Sequence, residues 1–195
     1  KLREAGYSVS VLSRSEPENV KAIDQADYIV HLAGANIGAG RWTARRKQEI
    51  LSSRVETAEM IFKRVAALPG TPRLKAFISA SATGYYGAVT TDHIFTENDQ
   101  AATDFLGETC WLWEAAADRF QELGVRTVKI RTGVVLTAKG GALAKMSLPV
   151  KLGLGSAMGS GAQYLPWIHI DDLCSIYIKA IEDAQMQGAF NAVAP

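Results

Sequence analysis

The sequence predicts an α/β fold in which helices cover both faces of a doubly wound parallel sheet, with a small extension at 142–170. Two observations predict this fold. Strand patterns and helix patterns alternate along the 195 residues, a length that suits a single domain. The segment 28–33, YIVHLA, is almost continuously apolar, as strands are when both faces of a parallel sheet are covered.

Each element is predicted from its local pattern. Apolar residues at alternate positions indicate strands, and apolar residues three or four positions apart indicate helices. Glycine after a helical stretch marks the helix end, as Gly6, Gly70 and Gly124 do here. In order, we predict a helix end at 1–5, strands at 8–13 and 28–33, a helix at 42–68, a strand at 74–79, a helix at 105–123, a strand at 125–131, a short helix at 142–151, and a short strand leading into a helix at 172–183.

Composition excludes several classes of function. The net charge of +1 provides no strong field for nucleic acid or an anionic membrane, so neither partner is expected. The sequence contains no secretory leader and no apolar run of the roughly 18 residues that a membrane span needs. Cys110 and Cys174 have no metal-ligand spacing and are interpreted as reduced, buried residues. A cytoplasmic location and the absence of a bound metal are the simplest expectations.

The beginning of the sequence is unusual for this fold class. A doubly wound domain normally opens with a first strand, a glycine-rich phosphate loop and a helix, together roughly 20–25 residues. Here the pattern begins with a helix end and then the second strand. We therefore expect residues 1–195 to be a single NAD(P)-binding, Rossmann-like domain that lacks its first strand and phosphate loop.

Two strand ends predict where a dinucleotide would lie. At the end of the second strand, an acidic residue suits the ribose of NAD, whereas arginine suits the 2′-phosphate of NADP. This strand ends in Ser13-Arg14, which predicts NADP(H). The next strand ends in Leu32, Ala33 and Gly34, whose small residues allow the backbone to approach a cofactor. The alternatives are a solvent-exposed arginine and a tight strand-to-loop bend.

Four segments, DYIVHLAGA, ISASATGYYG, RTGVVL and PWIHIDDL, together resemble the extended short-chain dehydrogenase/reductase family. They are most similar to its epimerase-family branch, which is regarded as a set of NADP-dependent sugar-nucleotide epimerases. The segment 140–173 is the most specific part, and the resemblance covers nearly all of the chain. It implies an oxidoreductase or epimerase that acts on a small molecule, such as a sugar nucleotide.

The resemblance also implies roles for matching residues. Ser81 matches the serine that hydrogen-bonds the reacting oxygen of the substrate, and Thr83 would assist it. The cofactor side would include Ser79, Arg131, Thr132 and Gly133. As alternatives, Ser79 and Ser81 satisfy backbone groups, Asp171 or Asp172 caps a helix, and His169 is structural.

The resemblance fails at the family's catalytic pair, Tyr-x-x-x-Lys, because no tyrosine of this sequence is followed by lysine four residues later. In that pair, the lysine ammonium lowers the tyrosine pKa so that the phenol can exchange a proton. With Glu114 aligned to a common glutamate of the family, Leu106 and Cys110 take the tyrosine and lysine positions.

The sequence is compatible with three functions. The first is an enzyme with a substituted acid, namely Tyr85 or Tyr86 beside Ser81, or Glu108, although paired aromatic residues also serve packing. The second is a catalytically weak NADP(H)-binding sensor or interaction module. The third is a scaffolding domain without a nucleotide.

The substrate side is predicted in the glycine-rich segment 148–163 and the residues after it. Gln163, Tyr164 and Trp167 offer hydrogen bonds and a stacking face for a sugar or a base, although Trp167 also suits a core position. The polar segment 92–104 is interpreted as a lid. The helices at 42–68 and 105–123 are candidates for a homodimer contact.

Overall fold

The structure, a computed structural model, describes residues 1–12, 21–88, 91–156 and 160–195. The strands are β1 (Tyr28–His31), β2 (Ala76–Ala82), β3 (Arg126–Thr132), β4 (Val134–Thr137), β5 (Trp167–His169) and β6 (Gly188–Ala192). The α-helices are α1 (Lys21–Asp24), α2 (Ala44–Ala66), α3 (Phe105–Asp118), α4 (Gly141–Lys151) and α5 (Ile170–Glu182). Short 3₁₀ helices cover Thr83–Tyr86 and Arg119–Leu123.

The main sheet has the strand order β1-β2-β3-β6, and each neighbouring pair is parallel. A second sheet pairs β4 with β5, also in parallel. The helices lie on both faces of the main sheet, so the doubly wound α/β prediction is confirmed.

Alternating side chains of the strands build one apolar core on each face of the sheet. Phe77 of β2 packs towards α2 and α3, where its ring stacks on Phe120 at a centroid distance of 3.8 Å. Ala76 and Ile78, on either side of Phe77, face α5 instead. This period of two is what a strand covered on both faces requires.

The strand predicted over 8–13 is wrong for the part that the structure describes. Residues 8–12 form no strand, and their side chains are mostly exposed, with Val11 at 67%. An alternating pattern gives a segment a β preference but does not supply a neighbouring strand to pair with. The predicted helix end at 1–5 is a set of turns, closed by Gly6 in the left-handed region at φ 87°.

The helix starts follow local capping. The Thr43 hydroxyl accepts a hydrogen bond from Arg46 N at the start of α2, and the Asp104 carboxylate accepts one from Gly107 N in α3. The expected cap of the last helix is corrected: α5 begins at Ile170, and the side chain of His169, not of Asp171 or Asp172, accepts from the backbone of the first turn.

Candidate functional site

The carboxyl-terminal edge of the main sheet gathers the residues that the sequence assigns to catalysis. Because β1, β2 and β3 are parallel, all three end at this edge. Ser81 and Arg131 are register partners in β2 and β3. Ligands bind at this edge in doubly wound folds, so its side chains define the candidate site.

A buried ion pair lies directly behind Ser81. Arg131 Nε donates to Glu114 Oε1 at 2.8 Å, and Nη2 donates to Oε2 at 2.9 Å. The two side chains are 4% and 7% exposed. Burial alone would lower the pKa of Arg131, but the hydrogen bonds to Glu114 and Tyr86 raise it above its ordinary value. Glu114 Oε1 also accepts a hydrogen bond from the Ser81 hydroxyl at 2.7 Å, and this bond fixes the serine side chain in one orientation.

Tyr86 extends this network to β6. Its hydroxyl accepts from Arg131 Nη1 at 2.9 Å. The single hydroxyl proton has two acceptors in reach, Asn191 Oδ1 at 2.7 Å and the Thr96 carbonyl at 3.0 Å. Burial raises the pKa of Tyr86, and the bond from Arg131 opposes that shift. Tyr86 is therefore a buried structural phenol.

Tyr85 differs from its neighbour in what its hydroxyl meets. The ring is half-buried and lies flat against Arg131, whose Cζ is 3.5 Å from the ring centroid. Within the described ranges, no group hydrogen-bonds to the Tyr85 hydroxyl, which is left to meet a ligand. The residue borders an open groove whose wall also includes Gln100, Thr103, Glu108 and Trp111.

The segment interpreted as a lid is held to the sheet over much of its length. The Glu97 carbonyl accepts from Arg131 Nη1 at 3.1 Å, and Glu97 Oε1 accepts from Asn191 N at 2.7 Å. Ala102 N donates to the Tyr85 carbonyl at 2.8 Å. These bonds make residues 96–102 a fixed wall of the site.

The two positions expected to replace the family's tyrosine and lysine face the start of the 3₁₀ helix. A Cβ on Gly84 would stand 3.4 Å from Leu106 Cβ and 3.9 Å from Cys110 Sγ. Cys110 is 4% exposed, and burial, then the charge of Glu114, raises the pKa of its thiol to about 11. Neither side chain can therefore exchange a proton near neutral pH. The Cys110 thiol is also in contact with Ser81.

His31 forms a second buried polar cluster, at the end of β1. Trp113 Nε1 donates to His31 Nδ1 at 3.3 Å, so the ring proton lies on Nε2, which has no partner among the described residues. Burial, then the nearby charge of Arg54, lowers the pKa of His31 to about 4. The Ser79 hydroxyl lies between the Ala80 carbonyl (2.9 Å) and His31 Nδ1 (3.3 Å).

The loop that follows β1 rests on α2. Ser53 Oγ accepts from Ala35 N at 2.8 Å, and Arg54 donates to the Ala35 carbonyl from both Nη1 and Nη2 at 3.2 Å. A Cβ on Gly34 would stand 2.9 Å from Arg54 Cζ. Glycine at 34 is therefore what allows the guanidinium to lie under the loop.

The residues predicted to hold the cofactor are placed differently from one another. Ser13 and Arg14 lie outside the described residues. Leu32 is 63% exposed at the strand end, beside the half-buried Ala33. The backbone of 32–34 is accordingly open to a ligand.

Thr132 and Gly133 bond to the protein itself. Thr132 Oγ1 donates to the Ile130 carbonyl at 3.2 Å. Gly133 lies against the second sheet, where an added Cβ would stand 2.7 Å from the Pro166 carbonyl oxygen. Thr83, which opens the 3₁₀ helix, is half-buried beside Ser81 in sequence.

The substrate-side residues lie on the surface near the second sheet. Tyr164 is 71% exposed, and its hydroxyl is 3.5 Å from Asp92 Oδ1. Trp167, at the start of β5, is 40% exposed and not a core residue, and Gln163 is exposed as well. The rings offer open faces, but no hydrogen bond joins either of them to Ser81 in the part of the chain that the structure describes.

Sequence reasoning missed three residues of the site: Arg54, Glu97 and Asn191. Glu114 was noticed only as an alignment mark, without its ion pair. Arg54 carries little signal in the sequence, because helix α2 contains many other charged residues. Glu97 and Asn191 carry no signal, because they contact each other across 94 residues of chain.

Comparison with known proteins places this geometry in a family. The sequence profile of the NAD dependent epimerase/dehydratase family matches residues 2–192. The cattle protein named epimerase family protein SDR39U1 is 37% identical over 204 residues, which cover all of this chain and 68% of the relative. The Bacillus subtilis epimerase family protein YfhF is 35% identical and is covered to the same extent. The chain belongs to the NAD-dependent epimerase/dehydratase family.

A relative of this chain has been crystallised with a nicotinamide cofactor. Human SDR39U1 (isoform 2), crystallised with NADPH, is 38% identical, with a TM-score of 0.77 over 87% of this chain. This chain spans 57% of the human one. The Corynebacterium glutamicum nucleoside-diphosphate sugar epimerase is 39% identical, with a TM-score of 0.76, and is spanned to 36%. The human structure supports a nicotinamide cofactor for the family.

The residues present fit such a cofactor. The backbone at 32–34 is open, the Tyr85 hydroxyl has no described protein partner, and Arg54 has no carboxylate within salt-bridge distance in the described ranges. This donor set suits a polar, anionic nucleotide. In the same ranges, no cluster of three or more metal-ligating side chains exists. None of the described helices combines the length and apolar character that a membrane-spanning helix needs.

Proposed function

We propose that this protein binds NADP(H) and catalyses the reversible oxidation or epimerisation of an alcohol carbon in a sugar-nucleotide-like substrate, without a Tyr-x-x-x-Lys pair. The observation that carries the proposal is the Tyr85 hydroxyl, which has no partner among the described residues while its ring is stacked on Arg131 at the carboxyl-terminal edge of the sheet. The family and the NADPH-bound human relative support the cofactor.

Three parts of the chain would hold the cofactor. Ser13 and Arg14, which follow the segment 8–12 in the sequence, would bind the 2′-phosphate that distinguishes NADP from NAD. The open backbone of 32–34 would lie along the dinucleotide. When bound, the nicotinamide accepts a hydride from the substrate carbon or returns it.

The protein's own residues would orient the substrate and move the proton. The Ser81 hydroxyl donates its hydrogen bond to Glu114. Its Oγ lone pairs are therefore available to accept a hydrogen bond from a substrate hydroxyl. Tyr85 would donate its own hydroxyl proton to the carbonyl oxygen of the oxidised substrate as the hydride arrives, and the phenolate left behind would take the proton back in the reverse direction. Arg131 holds the Tyr85 ring in place by stacking against it.

A second candidate function is an NADP(H)-binding sensor or interaction module with little chemistry. It is favoured by the side chains at 106 and 110, an aliphatic leucine and a buried thiol whose pKa is raised to about 11. A substrate screen separates the two functions.

Exposed side chains suggest where the substrate and a second copy of the chain would bind. Tyr164 and Trp167, 71% and 40% exposed, would stack on the sugar or base of the substrate, and Gln163 would hydrogen-bond to it. A homodimer would form through α2 and α3, which expose Met60 (46%) and Trp111 (53%).

The test is a turnover assay on the full-length protein. NADP⁺ is mixed with a panel of nucleotide sugars, and nicotinamide absorbance and the sugar NMR spectrum are followed. Reduced cofactor or a new epimer with at least one sugar is the expected result. NADPH binding with no turnover on the whole panel would favour the sensor instead. The Tyr85→Phe variant is expected to lose turnover on the same panel.

A further inference from the structure

Arg54 carries a positive charge into the protein without a carboxylate to balance it. Nη1 donates to the Ile50 carbonyl at 2.7 Å, and Nη1 and Nη2 donate to the Ala35 carbonyl. The guanidinium packs against Trp113, with Cζ 4.9 Å from the ring centroid. Throughout the described ranges, no carboxylate lies within 4 Å of it, whereas the more deeply buried Arg131 is paired with Glu114.

A partly buried guanidinium of this kind retains unused donors. The contacts to Ala35 and Ile50 leave Nε–H and one Nη2–H without an acceptor in the part of the chain that is described. Burial lowers the pKa of Arg54, yet a guanidinium remains charged at any working pH. A desolvated charge is costly unless it meets an opposite charge, so the arrangement favours an anionic ligand.

The position of Arg54 indicates which part of a ligand it would meet. It lies under Gly34 at the end of β1, and its guanidinium packs against Trp113 of α3. The next residue along α3, Glu114, accepts a hydrogen bond from Ser81, where the reacting carbon is expected. Arg54 therefore lies on the Ser81 side of the sheet edge.

We propose that Arg54 binds the nicotinamide mononucleotide half of NADP(H), through its phosphate and ribose oxygens. The inference rests on the proposed cofactor and adds a positive charge on α2, the helix that follows β1. A guanidinium suits phosphate oxygens because its planar donors match them in pairs. Arg54 would then help to set the position of the nicotinamide relative to Ser81.

The competing explanation is that Arg54 only fastens the loop after β1. Arg46 is the matched control for that role. It projects from the same helix two turns earlier and donates to the Asn36 carbonyl, the residue next to Ala35. Unlike Arg54, it also has a carboxylate partner, Glu49, at 2.7 Å.

The experiment compares binding of two ligands to the full-length protein. NADPH and 2′,5′-ADP, which contains only the adenosine half, are titrated calorimetrically into the wild type, Arg54→Met, Arg54→Lys and Arg46→Met. We expect Arg54→Met to weaken NADPH binding about 10- to 100-fold, the loss typical of a charge-assisted contact, and to change 2′,5′-ADP binding less than about twofold. Arg54→Lys should recover part of the loss, and Arg46→Met should leave both affinities unchanged.

The possible failures are distinguishable. An equal loss for both ligands, or the same NADPH loss in Arg46→Met, would show that Arg54 only fastens the loop. Unchanged NADPH binding in Arg54→Met would overturn this inference alone, whereas a wild type that binds no NADPH would overturn the proposed function as well. Arg54→Gln, which keeps an amide donor for the Ala35 carbonyl without the charge, provides the same comparison if Arg54→Met loses its native circular dichroism.

Discussion

Both carboxylate oxygens of Glu114 accept hydrogen bonds from the Arg131 guanidinium, at 2.8 and 2.9 Å, and both side chains are almost completely buried. The same carboxylate accepts a hydrogen bond from the Ser81 hydroxyl. One ion pair thus joins α3 to β3 and fixes the orientation of the residue that is proposed to meet the substrate. The pair is therefore important both to the stability of the domain and to the geometry of the site.

Replacing Arg131 with methionine should destabilise the domain strongly. The change leaves the Glu114 charge buried without its partner, which typically costs about 3–5 kcal/mol. Urea unfolding of the full-length protein measures this free energy. The control is Lys129→Met on the same strand, because Lys129 pairs with the more exposed Asp118 at 2.7 Å and should cost about 1 kcal/mol or less. Equal losses in the two variants would contradict the importance of the buried pair.

The adjacent tyrosines should respond differently to loss of the hydroxyl. Tyr86→Phe removes a group that bonds to Arg131 and Asn191, so we expect the free energy of unfolding to fall by about 1–3 kcal/mol. Tyr85→Phe removes a hydroxyl with no described protein partner and should leave stability nearly unchanged while turnover falls at least about 100-fold. NADPH affinity should stay constant in Tyr85→Phe, and wild-type turnover in that variant would exclude Tyr85 as the proton donor.

His31 should make the protein less stable in mild acid. Burial, then the charge of Arg54, lowers its pKa to about 4 in the folded protein, from an ordinary 6.5. The unfolded chain therefore binds this proton more tightly. The stability that the neutral ring contributes is complete above pH 6.5 and is lost as the pH falls towards 4, by about 3 kcal/mol.

Urea unfolding at several pH values tests this contribution as a difference between variants. In His31→Asn, the decline of stability between pH 6.5 and 4 should be shallower than in the wild type. His93→Asn is the control, since the side chain of His93 is 55% exposed and its removal should not alter the decline. Parallel pH curves for His31→Asn and the wild type would show that His31 is protonated normally.

The sequence was sufficient to predict the fold because its strands and helices have strong local patterns. The apolar strand β1 and the amphipathic helix α2 were found close to their observed limits. The strand predicted at 8–13 was not found over 8–12, because pairing depends on a neighbouring strand and not on alternation alone. The pairing of β4 with β5 was missed for the same reason.

The candidate site was predictable only in part. Ser81 and Arg131 were singled out through the family resemblance, and Tyr85 as a substitute acid. The structure brings the three together. Their arrangement was not predictable, because Glu114 joins Ser81 to Arg131 across 33 and 17 residues of chain. Gly133, interpreted as a cofactor contact, packs against Pro166, and local sequence gives no sign of such a distant backbone approach.

The most direct test of NADP(H) binding is a pair of titrations of the full-length protein, one with NADPH and one with NADH, monitored by nicotinamide fluorescence. We expect tight binding of NADPH and at least about tenfold weaker binding of NADH, because Arg14 would pair with the 2′-phosphate. Equal affinities would contradict the NADP preference, and no binding of either nucleotide would contradict the proposed function itself.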